Sequence, residues 1–473
     1  MEKQQYDYGM IGLGTMGRNL LYNMEDHGFS VAGFDKNTAQ VETLKKESAG
    51  KKIAGTNNLQ EFIEILNQPR VIMLLVPAGA IVDSVISELK TFLSKDDLLM
   101  DCGNSHYTDT NRRIEELAKE SIHFMGVGVS GGESGARYGP SIMPGGSRDA
   151  YDRVAGILKA VAAKVNGEAC VDYMGSGSAG HYVKMVHNGI EYGIMQLISE
   201  SYHLLREVAG LSNDELHEVF SIWNKGILQC FLIEISADIF LQKDALTNNR
   251  LIDMILDSAG QKGTGQWTSQ DALELHIPIP VIDTAVSVRD LSALKEERIQ
   301  VEQKIKGPGG QEQGPIKNNP KEFIDHLEQA LYFSMITTYA QGMSLLQHAS
   351  KEYQYNLNLE KITAIWRGGC IIRAALLEDI RTVFAQQPDL STILLSDAIA
   401  EKLMRSQQGC RTIISQAAFA GIPVPAMMSA LAYYDTYRSS TLPSNLLQAQ
   451  RDLFGAHTYQ RIDREGIFHT QWG

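Results

Sequence analysis

A chain of 473 residues exceeds what one hydrophobic core ordinarily organises, so two or three domains are expected. Hydrophobic residues at 44% and charged residues at 21% exclude a disordered or fibrous chain. A formal net charge of -13 argues against a general nucleic-acid binder, which presents a basic face.

Cys102, Cys170, Cys230, Cys370 and Cys410 are scattered, odd in number and free of CxxC pairs. That suits a reducing compartment and points to neither a disulfide framework nor a metal site. Residues 1–8 are polar and run straight into a strand-like stretch, leaving no room for a signal peptide. The most apolar early run, residues 71–82, is broken by Pro77 and Gly79 and is too short to span a bilayer. The expected setting is cytoplasmic, with no membrane or nucleic-acid partner.

In chain order, the first third alternates short apolar runs with amphipathic stretches, the pattern of a parallel sheet wrapped by helices. Strands are expected at Tyr8–Ile11, 30–34, 71–76, Leu98–Asp101 and 123–129. Gly12-Leu13-Gly14-Thr15-Met16-Gly17 follows the first of them and opens a helical run over 18–27. In a Rossmann-type α/β unit the first Gly permits the tight turn, the second lets pyrophosphate approach the backbone, and the third lets helix pack on strand. Free amides and the positive dipole at the helix start then hold the phosphates. Asp35, 23 residues after Gly12, ends the second strand, where an acid can accept from a ribose hydroxyl.

Two Gly-flanked polar turns follow later strands, at the sheet edge where such folds bind ligands: Asp101-Cys102-Gly103-Asn104-Ser105-His106 and Gly128-Val129-Ser130-Gly131-Gly132-Glu133. Either one alone also reads as an ordinary turn. From about Gly180 the texture changes to long helical periodicities. Lys184, His187, Asn188, Glu191 and Tyr192 share one face of a single helix, and Val183, Ile190, Ile194 and Leu197 the other. On that helix alone, a solvated polar face reads equally well. The preceding Ser176-Gly177-Ser178-Ala179-Gly180 favours the chemical reading, because it brings the helix start against the nucleotide domain. Gln261-Lys262-Gly263-Thr264-Gly265 puts a cation in a flexible loop, a cradle for phosphate or carboxylate. Arg289 and Arg451, taken singly, read as surface salt-bridge partners, and His123, His276 and His348 as structural or exposed.

The helical part carries a sparse duplication. Tyr202, Trp223, Ser269-Gln270 and Ile277-Pro278-Ile279-Pro280 recur in order as Tyr339, Trp366, Ser415-Gln416 and Ile422-Pro423-Val424-Pro425. Residues 306–320, rich in Gly and Pro, read as an exposed connection between helices. The expected organisation is a Rossmann-type dinucleotide-binding domain over 1–179, a large all-α substrate and dimerisation domain with internal duplication over 180–440, and a polar C-terminal tail over 441–473.

At these residues the sequence resembles the long-chain 6-phosphogluconate dehydrogenases. The matching stretches are 12–17, 101–107, 128–146, 184–192, 261–268 and 447–459, in order over nearly the whole chain. Turns like those at Asn104 and Ser130 also occur in shorter β-hydroxyacid dehydrogenases, whereas the helical repeat and the Gln448-Ala449-Gln450-Arg451 tail select the long family. The resemblance implies metal-independent oxidative decarboxylation of 6-phosphogluconate to ribulose 5-phosphate and carbon dioxide, as in the pentose phosphate pathway and gluconate utilisation. It also implies a homodimer whose tail reaches into the partner subunit.

By that resemblance Lys184 and Glu191 are the catalytic pair. Cofactor contacts fall on Gly12, Leu13, Gly14, Thr15, Met16, Gly17, Asp35, Lys36, Asn37, Val76, Pro77, Ala78 and Asn104. Substrate contacts fall on Asn104, Ser130, Gly131, Gly132, His187, Asn188, Tyr192, Lys262, Thr264 and Arg289, with Arg451 and His457 arriving from the partner chain. Residue chemistry agrees. A neutral lysine can take the hydroxyl proton as hydride leaves, the 3-keto acid can lose carbon dioxide, and a protonated glutamic acid can protonate the enediol.

Two positions depart from the family pattern. Asp35-Lys36-Asn37 stands where NADP users usually carry Asn-Arg-Thr, and Pro77 stands where a Lys is usual. Asp35 would accept from a ribose 2′-hydroxyl and repel a 2′-phosphate, so NADP is the family default while NAD is expected to be used unusually well, up to being preferred. Two other readings compete. A different β-hydroxyacid dehydrogenase acting on an unphosphorylated acid would not need Lys262, Arg289 and Arg451 together. A catalytically silent nicotinamide-sensing regulator would be expected to lack Lys184 or Glu191.

Overall fold

A computed structural model of the chain describes residues 5–308 and 320–472. Residues 309–319, the middle of the expected Gly/Pro-rich connection, lie outside the described residues, as do the first four residues of the polar start.

Seven strands form the first sheet: β1 (Tyr8–Ile11), β2 (Val31–Phe34), β3 (Ile53–Thr56), β4 (Val71–Leu74), β5 (Leu98–Asp101), β6 (His123–Ser130) and β7 (Ser141–Gly145). Their order is β3-β2-β1-β4-β5-β6-β7, with β7 alone antiparallel. Neighbouring residues feed opposite cores: Met10 belongs to the cluster on one face, with Leu13 and Leu21, and Ile11 to the other, with Phe62 and Ile72. Burial on both faces is why β1, β2, β4 and β5 read as unbroken apolar runs. Chain order reverses between β1 and β4, and at that point such sheets hold a dinucleotide.

Two strands escape the sequence reading. β3 is a four-residue edge strand whose first three residues are only half-buried, so it lacks an apolar signature. β7 contains Pro144, which reads as a breaker but is tolerated at a sheet edge.

Beyond a short antiparallel ribbon, Lys164–Val165 with Glu168–Ala169, the remaining regular structure after the sheet is helical. The helices Ala179–Glu207 and Pro320–Glu352 pack against each other as the axis of the second core. They approach where side chains are small: a Cβ on Gly193 would lie 2.7 Å from Thr338, and one on Gly342 would lie 2.5 Å from Ile190. Each is followed by a helix ending at a tryptophan, Asn213–Trp223 and Leu359–Trp366. Each set closes with a helix opened by proline, Pro280–Ala293 and Pro425–Tyr437. The residues before those prolines share a backbone geometry, Ile279 at φ -129° and ψ 50° and Val424 at φ -132° and ψ 55°.

The tyrosines of the sparse match are not equivalent. Tyr202 sits near the end of its helix and Tyr339 is buried mid-helix. The equivalent positions, counted from the helix starts, are Glu200 and Gln341. Each reaches across to the other copy: Glu200 accepts from Ala426 N (2.8 Å) and Met427 N (3.0 Å), and Gln341 accepts from Val281 N (3.0 Å). Both thereby satisfy free amides at the start of a proline-opened helix. The final stretch, expected as a polar tail, contains the helix Ser444–Gly455. Among the described residues no helix is long and apolar enough to cross a membrane.

Candidate active site

The glycine loop between β1 and the helix Thr15–Asp26 assigns each glycine a different job. Gly12 lies at φ +98°, and a Cβ there would meet Leu75 O at 2.3 Å. A Cβ on Gly17 would sit 1.9 Å from Gly12 O, whereas one on Gly14 would meet nothing within 4 Å. The turn and the helix contact therefore exclude side chains, and the middle position is open for pyrophosphate. Gly14 and Thr15 are exposed at the helix start, where amides await an anion. Beside the loop a cleft of about 420 Å³, lined by Phe34, Val76, Ile81 and Val85 among others, offers an apolar bed for an adenine ring. Pro77 and Ala78 are exposed on the loop beyond Val76.

The Asp35 carboxylate is turned toward this loop. It accepts from Leu13 N and from Asn37 N, each at 2.8 Å. Lys36 is an exposed ammonium paired with Glu88 at 2.6 Å. Arg113, buried among carboxylates, donates to Gly79 O (3.0 Å), Asp101 (3.4 Å), Ser105 (3.3 Å) and Asp83 (2.7 Å). It ties the turn after β4 to the turn carrying Asn104.

The helix Ala179–Glu207 starts against the carboxyl end of β6. A Cβ on Gly128 would lie 2.5 Å from that of Lys184, and one on Gly180 would lie 2.3 Å from both Gly126 O and Met143 O. No side chain separates strand from helix here, so Lys184 is delivered to the mouth of the dinucleotide cleft. The face that reads as polar in sequence is buried: Lys184 is 6% exposed, His187 0% and Asn188 7%.

Lys184 Nζ lies 3.4 Å from His187 Nδ1. His187 Nε2 lies 3.2 Å from Ser130 Oγ, and Glu191 Oε2 lies 3.8 Å from His187 Nδ1. Asn188 Nδ2 donates to Asn104 Oδ1 at 3.4 Å. Burial lowers the Lys184 amine below its ordinary value, against the pull of Glu191 and Cys370. Burial raises the Glu191 carboxyl, against Lys184 and Arg289. Burial and the nearby Lys184 hold His187 well below the usual imidazole range. Both shifts of the pair run the way a neutral base and a protonated acid require.

The structure also gathers Gly131 and Gly132 at the start of the helix after β6, and Thr264 beside Lys184 and Asn188. The Arg289 guanidinium lies 3.5 Å from the centre of the Tyr192 ring. Lys262 is exposed on its loop. Arg451 and His457 are exposed on the tail, and among the described residues neither bonds to the helix of Lys184.

Several contributors are absent from the sequence reading. Trp366 presents its edge to the His187 ring at 5.5 Å, and Gly369 O would meet a Cβ on Gly131 at 2.5 Å. That segment was legible only as a repeat element. Arg113 had no local signal at all. Among the described residues no group of three or more His, Cys, Asp or Glu side chains could hold a metal ion.

A dinucleotide cleft at the sheet's switch point, opening onto a buried lysine and a partly buried carboxylic acid on one helix, defines a nicotinamide-dependent dehydrogenase of hydroxy acids. The NAD-binding domain of 6-phosphogluconate dehydrogenase matches residues 7–175, and the C-terminal domain of 6-phosphogluconate dehydrogenase matches residues 180–472. The chain belongs to the 6-phosphogluconate dehydrogenase family. It is 53% identical over 473 residues, the whole of both chains, to the NADP(+)-dependent decarboxylating enzyme of Bacillus subtilis. It is 50% identical to the decarboxylating enzyme of Candida albicans, over 98% of this chain and 91% of that one. The Plasmodium falciparum 6-phosphogluconate dehydrogenase structure, described with NADP+ and with 6-phosphogluconate, superposes with a TM-score of 0.93 at 43% identity, covering 98% of this chain and 100% of that one.

Proposed function

We propose that this chain oxidises 6-phosphogluconate and releases carbon dioxide, leaving ribulose 5-phosphate and a reduced nicotinamide dinucleotide. The observation that carries the reading is the pair of buried Lys184 and partly buried Glu191, with one pKa lowered and the other raised, at the mouth of the dinucleotide cleft. The bound dinucleotide supplies the hydride acceptor. Neutral Lys184 takes the proton of the substrate's C3 hydroxyl, and as an ammonium returns it to the ketone oxygen when the carboxylate carbon leaves. Protonated Glu191 then delivers a proton to the substrate's C2, which becomes C1 of ribulose 5-phosphate. Asn104, Ser130, His187 and Asn188 orient the sugar acid, and Lys262 and Arg289 balance its anionic ends. Carbon dioxide release with growth of reduced-nicotinamide absorbance on adding 6-phosphogluconate is the expected result. Oxidation without carbon dioxide would assign a different hydroxyacid dehydrogenase.

The finer cofactor reading rests on the ribose pocket. Asp35 keeps a carboxylate beside the glycine loop, and Lys36, the cation that could meet a 2′-phosphate, is engaged by Glu88. Two charges about 4 Å apart near a surface interact by a few kcal/mol, enough to move preference. NAD is therefore used far better than is usual in this family, up to being preferred, although NADP remains the family default.

The active unit is a homodimer closed by tail exchange. The helix Ser444–Gly455 leaves Leu446 63%, Leu447 56%, Leu453 61% and Phe454 71% exposed, an apolar face that a second copy would cover. Arg451 and His457 would then complete the partner's site, within an organisation of nucleotide domain 1–179, helical domain 180–440 and tail 441–473.

A further inference from the structure

Asp271 lies on the helix Thr264–Glu274, is 4% exposed, and has no cation within salt-bridge distance among the described residues. Tyrosine hydroxyls surround it instead. Its Oδ1 accepts from Tyr107 (2.5 Å) and Tyr353 (2.7 Å), and its Oδ2 accepts from Tyr182. The rings pack on one another, with Tyr107–Tyr182 centroids at 5.1 Å and Tyr182–Tyr353 centroids at 5.6 Å. Burial and the carboxylate raise the Tyr107 and Tyr182 hydroxyls, and Tyr353 is pushed up to about 12, so all three remain donors at neutral pH. A carboxylate needs such donors when no cation accompanies it.

Two of the three tyrosines come from segments that carry part of the site. Tyr107 opens the helix directly after the Asn104 turn of the nucleotide domain. Tyr182 stands two residues before Lys184, and Tyr353 directly follows the second long helix. Asp271 itself shares a helix with Thr264, just after Lys262.

We propose that Asp271 is a positioning residue: by gathering three tyrosyl hydroxyls across the domain junction it sets the distance between the nicotinamide site and Lys184. Hydride and proton transfer depend steeply on that distance, since a misplacement of about 1 Å can cost on the order of a hundredfold in rate. The inference rests on the dehydrogenase reading above, and its test separates the two.

Asp271→Asn and the milder Tyr107→Phe, which removes one hydroxyl and keeps the ring, are compared with the unaltered protein. The expected outcome is a fall in kcat of about tenfold or more for Asp271→Asn. KM for 6-phosphogluconate and for the dinucleotide should stay within about twofold, as expected when only transition-state geometry is lost. The primary isotope effect with 3-deuterated substrate should rise as hydride transfer becomes limiting. Tyr107→Phe should show the same pattern more weakly. A fall in kcat without a change in isotope effect, or a parallel loss of KM, overturns the proposal, as does unchanged kcat in both variants. Hydrogen exchange supplies an arm free of turnover: amides of residues 105–110 and 178–184 should exchange faster in both variants, and unchanged exchange also overturns the node. An unaltered protein inactive toward 6-phosphogluconate would sink the functional reading and leave the exchange arm to decide the node.

Discussion

At the scale of single residues, Lys184 and Glu191 hold each other's protonation states. Glu191 raises the Lys184 amine by its charge while burial lowers it, and burial is the larger influence. Lys184→Met should abolish hydride transfer, and Lys184→Arg should fail with it, because a guanidinium cannot give up its proton near neutrality. Glu191→Gln should slow the final protonation by roughly 10²–10⁴-fold, the usual worth of a general acid, with substrate binding largely kept. The same substitution removes the charge that holds the Lys184 pKa up, so the acid limb of the kcat/KM profile should move to lower pH. An unmoved limb would mean that the limb does not report Lys184. For the ribose pocket, kcat/KM with the two dinucleotides should differ by less than a hundredfold, about 2.7 kcal/mol. Asp35→Asn should shift the ratio toward NADP, and a natural preference for NADP beyond a hundredfold would show that Asp35 does not face the 2′ position.

At the scale of elements, the two helical copies are joined by Glu200 and Gln341, which each hold a helix start in the other copy. Burial pushes the Glu200 carboxyl up to about 7, against the two backbone amides and Gln196 that favour its charge. Below pH 4.5 the folded and unfolded chains are both protonated here. Between 4.5 and about 7 the unfolded chain loses the proton while the folded chain keeps it, so stability falls as pH rises, and above that the loss is complete. The shift corresponds to about 3 kcal/mol. Glu200→Gln, which installs the amide already present at the equivalent Gln341, should therefore gain stability relative to the unaltered protein on going from pH 4.5 to 8. Denaturant midpoints of both proteins at the two pH values measure this, and parallel curves would refute the assignment. The repeat was visible in sequence at the tryptophans and at the prolines that open helices, because those residues mark helix ends. The Glu200–Gln341 equivalence was not, since a Glu and a Gln inside long helices carry no boundary signal.

At the scale of the whole molecule, the tail decides whether a site is complete within one chain. Removing residues after Thr441 should end turnover while dinucleotide binding stays measurable by quenching or calorimetry. Mixing Lys184→Met with Arg451→Ala protein should restore some activity, because a mixed dimer then has one site carrying both defects and one carrying neither. Absence of rescue, with mixed dimers demonstrated, would place Arg451 in its own chain's site. The amino-acid order by itself determined the strands around the switch point, the glycine loop and the helical face of Lys184, His187, Asn188, Glu191 and Tyr192. Each of those rests on local periodicity or on a backbone that tolerates no Cβ, as at Gly12 and Gly17. Tertiary structure alone decided that this helical face is buried rather than solvated. Periodicity says which residues share a face, but β6, Trp366 and the helix Thr264–Glu274 determine what covers it. The same holds for Arg113 and Asp271: their partners lie in distant segments, and burial, which turns a common charged residue into a fixed one, is a property of the packed whole.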